Sequence, residues 1–141
     1  PSRDPILSRW QLVLDFAREI NDLQTAFYPQ LRQNGANAAQ LFSQYQTQAD
    51  AVYSRYLTRK KRNHYYGISH PPSFHGVTDS ARFTVEQGKN RWVVEVLIDE
   101  VTRDFRFSLV CRSGELRIDS FQQRCHSVGR EIVYGWLYGN F

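Results

Sequence analysis

The sequence predicts an α+β fold, with helices in the first half and an antiparallel sheet in the second. Three observations predict it. Apolar residues recur at helical spacing up to Tyr56, and they fall on alternate residues from Arg82 onward. Between the two patterns lies Gly67 to Ser80, where Pro71-Pro72, Gly76 and Asp79-Ser80 mark a loop.

Asp4-Pro5 reads as an N-cap followed by proline at the first helical position. Ile6, Trp10, Val13, Ala17, Ile20, Phe27 and Leu31 then form an apolar stripe, widened by Leu14 and Leu23. Pro29 is expected to end or kink this helix, because it lacks an N–H and its ring crowds the preceding turn. Asn34-Gly35 is a turn. A second helix starts near Asn37 with Leu41, Tyr45, Ala49, Val52 and Tyr56 on one face and Gln40, Gln44, Gln48 and Asp50 on the other. It is expected to run to about residue 64, so that Arg59-Lys60-Lys61-Arg62 meet the negative end of the helix macrodipole.

The sheet begins with Arg82–Gln87 and a turn at Gly88-Lys89-Asn90. In the next strand Trp92, Val94, Val96 and Ile98 alternate with Val93, Glu95, Leu97 and Asp99. A third strand sets Phe105, Phe107, Leu109 and Cys111 against Arg106, Ser108 and Arg112. Ser113-Gly114 is a two-residue hairpin turn. Glu115–Gln123 returns with Leu116 and Ile118 facing one way and Arg117, Asp119 and Phe121 the other. The tail, residues 126–141, is apolar and interrupted by glycines, and periodicity leaves strand and helix equally open. The expected organisation is one domain over residues 1–141, with helices at about 5–64, a loop at 67–80 and strands at about 81–125.

A chain of 141 residues with 9 Phe, 8 Tyr and 3 Trp has the rings to build a core, which argues against disorder. No long apolar run is present, so no transmembrane helix and no membrane partner are predicted. The first residues, Pro1-Ser-Arg-Asp-Pro-Ile, show neither the apolar stretch nor the cleavage site of a secretory signal. Cys111 and Cys125 are expected as partly buried free thiols in a reducing, cytoplasmic setting. The net charge of +4 invites a nucleic-acid reading, but the excess is concentrated in Arg59–Arg62, and no nucleic-acid partner is predicted.

Phosphate loops, dinucleotide fingerprints, nucleophile elbows and Cys–His signatures are absent from the sequence. His64, His70, His75 and His126 have no metal-ligand spacing, so no metal and no cofactor are expected. Acid chemistry in a pocket would have to come from Asp99, Asp119, Glu95 or a tyrosine such as Tyr53. The competing reading makes these carboxylates strand residues paired with Arg106 and Arg117 across the sheet.

The helices, the meander and the closing hairpin from Phe105 to Phe121, with its Gly turn before Leu-Arg-Ile-Asp-Ser, resemble the nuclear transport factor 2-like (NTF2-like) fold. Together with Tyr56-Leu-Thr-Arg-Lys-Lys-Arg62 and Pro71-Pro72, they resemble the NTF2-fold immunity proteins of bacterial polymorphic toxin systems. The resemblance spans about residues 5–125 and leaves out the tail after His126. It implies a helical hairpin packed on a curved antiparallel sheet, the NTF2-like cone. It also implies a non-enzymatic immunity protein whose partner is a cognate toxin effector domain, with a homodimer through the sheet left open. The alternative within the fold is an enzyme or small-ligand binder using the cone pocket. The residues expected to meet the partner are Arg59, Lys60, Lys61, Arg62, Tyr65, Tyr66, Arg106 and Arg117, since Arg and Tyr concentrate binding energy at interfaces. Arg106, Arg112, Arg117 and Arg124 would together make an arginine-rich sheet surface suited to carboxylates. A basic inhibitor needs an acidic face on its toxin, or a position away from the toxin's substrate groove.

Overall fold

The computed structural model describes residues 5–33, 35–60, 68, 71–97, 105–125 and 135–138; for 124–125 and 135–138 it gives the backbone alone. Helix α1 spans Pro5–Gln33 and α2 spans Ala38–Tyr56, joined through a single 3₁₀ turn at Gly35–Asn37. Five strands follow: β1 (Arg82–Gly88), β2 (Arg91–Leu97), β3 (Phe105–Arg112), β4 (Glu115–Cys125) and β5 (Gly135–Tyr138). They form one antiparallel sheet in sequence order, and the helical hairpin covers one of its faces. This is the predicted α+β arrangement.

Two helix ends differ from expectation. Pro29 lies inside α1, which continues a further turn to Gln33. Both Pro29 and Thr25, whose carbonyl loses its helical donor, are exposed, so water can serve that carbonyl. Helix α2 stops at Tyr56 rather than near residue 64, because Leu57 turns extended (φ −96°, ψ 156°) and bridges to Ile118 of β4. The expected helix at 61–64 lies outside the described residues.

The core is aromatic. Trp10, Val13, Leu14, Phe16, Ala17 and Ile20 of α1 are buried against Val94, Val96, Phe105, Phe107 and Ile118 of the sheet. Ile6, assigned to the stripe, is exposed at the start of the helix, whereas Phe16, left out of it, is fully buried. Trp10 stacks on Phe83 at 4.4 Å between ring centroids. Phe74 packs among Phe16, Phe105, Phe107 and Phe121 at 5.3–5.7 Å. It arrives from the loop before β1, which is therefore part of the core as well as a connection.

That loop is fastened to α1 by two amides one helical turn apart. Asn21 accepts from the Phe74 N–H and donates to its carbonyl, both at 3.0 Å. Buried Gln24 accepts from the Ser73 N–H and donates to the Ser73 hydroxyl, both at 2.8 Å. The side chains supply the partners that an irregular segment cannot find in a ladder.

The β3–β4 turn at Ser113-Gly114 has positive φ at both residues (52° and 81°), the pattern of a type I′ hairpin. In β4 the ladder is irregular: Ser108 faces Ser120 while Leu109 faces Ile118, so Asp119 has no partner across β3. This bulge overturns the expected alternation. Phe121 turns inward with Ile118 instead of outward with Arg117. Cys111, expected to be partly buried, is an exposed free thiol at the strand end, and the side chain of Cys125 lies outside the described residues. The undecided tail contributes β5, which pairs with residues 122–125 of β4.

Truncating the loop's anchor ring tests this packing. Phe74→Ala is expected to lower the unfolding free energy by about 3–5 kcal/mol in urea titrations, because four neighbouring rings cannot close the void.

Candidate functional site

The bridge between Leu57 and Ile118 brings the exit of α2 against the β3–β4 hairpin. The Thr58 N–H donates to the Ile118 carbonyl at 3.0 Å, and the Thr58 hydroxyl donates to Asp119 at 2.8 Å. Lys60 pairs with the same carboxylate at 3.2 Å. The bulge residue thus holds the segment leaving α2.

Arg117 does the complementary task. One guanidinium nitrogen donates to the carbonyls of Ser54 (2.9 Å), Arg55 (3.4 Å) and Leu57 (3.1 Å), and the other two reach Glu115 at 2.8 and 3.2 Å. A helix leaves its last carbonyls without internal donors and carries partial negative charge there. A cation from the hairpin answers that end; of the basic run expected to do so, Lys60 turns to Asp119, and Lys61 and Arg62 lie outside the described residues. Arg117 is therefore a structural clamp between α2 and β4.

Beside this clamp lies a hollow of about 430 Å³ lined by Arg59, Arg112, Ser113, Glu115 and Arg117. It unites two predicted contact residues, Arg59 and Arg117, and adds Arg112. Arg59 and Arg112 are exposed and make no ion pair or hydrogen bond among the described residues. Glu115 stands opposite Arg112 in the hairpin register, yet its carboxylate is turned to Arg117. Arg112 was expected on an arginine-rich sheet surface with Arg106, Arg117 and Arg124; the hollow gathers Arg112 and Arg117, whereas Arg106 pairs with Glu95 and the side chain of Arg124 lies outside the described residues.

Of the other predicted contacts, two are described. Lys60 is engaged with Asp119. Arg106 lies on the sheet face away from the helices and pairs with Glu95 at 3.6 Å, directly across from it in register. Lys61, Arg62, Tyr65 and Tyr66 lie outside the described residues, as does Asp99. Of the groups named for acid chemistry, Glu95 is on the outer face, Asp119 is at the bulge, and Tyr53 is buried in the core. Among the described residues no group of three or more His, Cys, Asp or Glu is placed to hold a metal ion.

A second hollow, about 460 Å³, runs between the helices and is lined by Glu19, Asp22, Leu23, Gln48, Ala51 and Arg55 among others. There Tyr56 donates a short hydrogen bond to Glu19, which also pairs with Arg55 at 2.6 Å. Burial first, then the bond to Glu19 and the charges of Glu19 and Asp15, push the Tyr56 phenol up to about 12, against the opposing pull of Arg55.

A family model described as NTF2 fold immunity protein matches residues 8–135. The chain belongs to this family. The match takes in both helices, the core loop, β1 to β4 and the segment up to the first residue of β5, including residues 126–135 that the resemblance left out. No curated protein and no solved structure matches the chain. Among the described residues, no helix of this immunity-family protein is long and apolar enough to cross a membrane.

Two measurements check the site's construction. Arg117→Ala is expected to cost about 2 kcal/mol in chemical unfolding, with faster amide exchange at the end of α2, since several carbonyls lose a charged donor. Arg117→Lys should restore less than half of that, because an ammonium cannot hold Glu115 and the carbonyls in one plane. Tyr56 should ionise near pH 12 in a spectrophotometric titration, and Glu19→Gln should lower this only in part, because burial, the larger cause, remains. The folded state retains this proton more tightly, so its stabilising contribution is complete below pH 10 and is lost as pH rises through about 12.

Proposed function

We propose that this protein neutralises a cognate bacterial toxin by binding its effector domain stoichiometrically, with no chemistry of its own. The family match over residues 8–135 carries this reading. The interior supports it. Where a cone-pocket enzyme would keep an acid group among apolar walls, Phe16, Phe74, Phe105, Phe107 and Phe121 fill the space between helices and sheet. The carboxylates that would have to act, Asp119 and Glu95, are engaged at the bulge and on the outer face. An inhibitor needs instead a pre-organised surface with cationic and aromatic anchors. We assign that role to Arg59 and Lys60 at the exit of α2 and to Lys61, Arg62, Tyr65 and Tyr66, which follow them in sequence. The working compartment is the bacterial cytoplasm, where the toxin would act on its own producer.

Co-expression with the toxin domain encoded beside this chain's gene tests the reading. Growth should be restored, the two proteins should co-purify as an equimolar complex, and protection should fail once toxin is in molar excess. Asp119→Asn and Glu95→Gln should still protect. Persistent toxicity, or protection without a complex, would falsify the proposal.

A further inference from the structure

We propose that the hollow between the exit of α2 and the β3–β4 turn seats a carboxylate-bearing segment of the toxin, gripped between Arg59 and Arg112. The inference rests on the toxin-binding reading above and adds the chemistry and place of contact. The lining carries three arginines and one glutamate. Arg117 and Glu115 neutralise each other at 2.8 Å, which leaves the charges of Arg59 and Arg112 uncompensated among the described residues. The hairpin register would offer Arg112 a partner in Glu115, but the clamp has taken it. On the other side Asp119 is occupied by Thr58 and Lys60.

A guanidinium presents parallel N–H groups that match the two oxygens of a carboxylate. Arg59 and Arg112 are brought together on a support fixed by backbone and side-chain bonds, with a two-residue turn between strands on one side. Such a support lowers the ordering cost of binding. Ser113 adds a hydroxyl to the rim, and about 430 Å³ accommodates a few side chains rather than a long polymer. The same lining disfavours nucleic acid. It is a short hollow with a carboxylate in it, and among the described residues no ring lines it to offer a base a stacking platform. The protein's net charge of +4 adds long-range attraction toward an acidic partner.

The test uses the full chain and the toxin domain encoded beside its gene. Arg59→Glu combined with Arg112→Glu replaces two exposed side chains and should leave the thermal unfolding profile unchanged. It should weaken toxin binding by roughly tenfold or more and flatten its dependence on salt. Lys89→Glu, an exposed residue of the β1–β2 turn outside the hollow, should bind as the unaltered chain does. Lysine substitutions at acidic residues of the toxin should restore binding of the double variant. Unaltered affinity of the folded double variant overturns the proposal. So does a short DNA duplex that binds the unaltered chain and is lost from the double variant while toxin binding persists. If the unaltered chain fails to bind the toxin, the functional reading itself falls, an outcome separate from either of these.

Discussion

Between Ser108 and Leu109, β3 is met by three residues of β4, Ile118, Asp119 and Ser120, where a regular ladder would place two. The extra residue changes what each side of the strand delivers. Ile118 and Phe121, three positions apart, both enter the core, and Phe121 completes the ring cluster around Phe74. Asp119, set outside the register of the ladder, turns to Thr58 and Lys60. Bulges re-aim side chains in this way, at the cost of one interrupted pairing. Without it, Phe121 would fall on the opposite face and the end of α2 would lose its carboxylate anchor.

The clamp made by Arg117 follows from the same geometry. Once Leu57 lies beside Ile118, the last carbonyls of α2 come within reach of Arg117. Arg117 thereby removes Glu115 from competition for Arg112, and the hollow's positive character is a by-product of how the helix end is satisfied. Structure and proposed contact are linked through one side chain that itself needs no partner outside the protein.

Both helices and the first four strands were legible, because amphipathic periods of 3.6 and 2 leave clear marks when one face is buried. Ser113-Gly114 was equally clear, since few residue pairs accept two left-handed conformations. The bulge was not. Leu-Arg-Ile-Asp-Ser-Phe reads as an ordinary alternation, and nothing in it says that one residue will be skipped. Two errors around it have that root: the inward turn of Phe121 and the turn of Asp119 toward Thr58 and Lys60. The early end of α2 was hidden for a related reason, since Leu57 leaves the helix for a contact with a strand distant in sequence. Of the site, the type of residue was readable and the pairing was not. Arg59, Arg112 and Arg117 look alike as letters, and only the fold separates the spent cation from the two available ones.

The bond from Arg117 to Leu57 closes a loop of 60 residues. Such a closure is entropically costly and is recovered only when the intervening loop and strands are in place, so contacts of this kind form late in folding. The proposed docking surface is therefore not a property of the helical hairpin, which has its own local contacts and can form early. It comes into being only with a long-range closure. A chain emerging from the ribosome presents no such surface until β4 has been made and docked. A partner that recognises the surface then binds the folded state alone, and in doing so stabilises it.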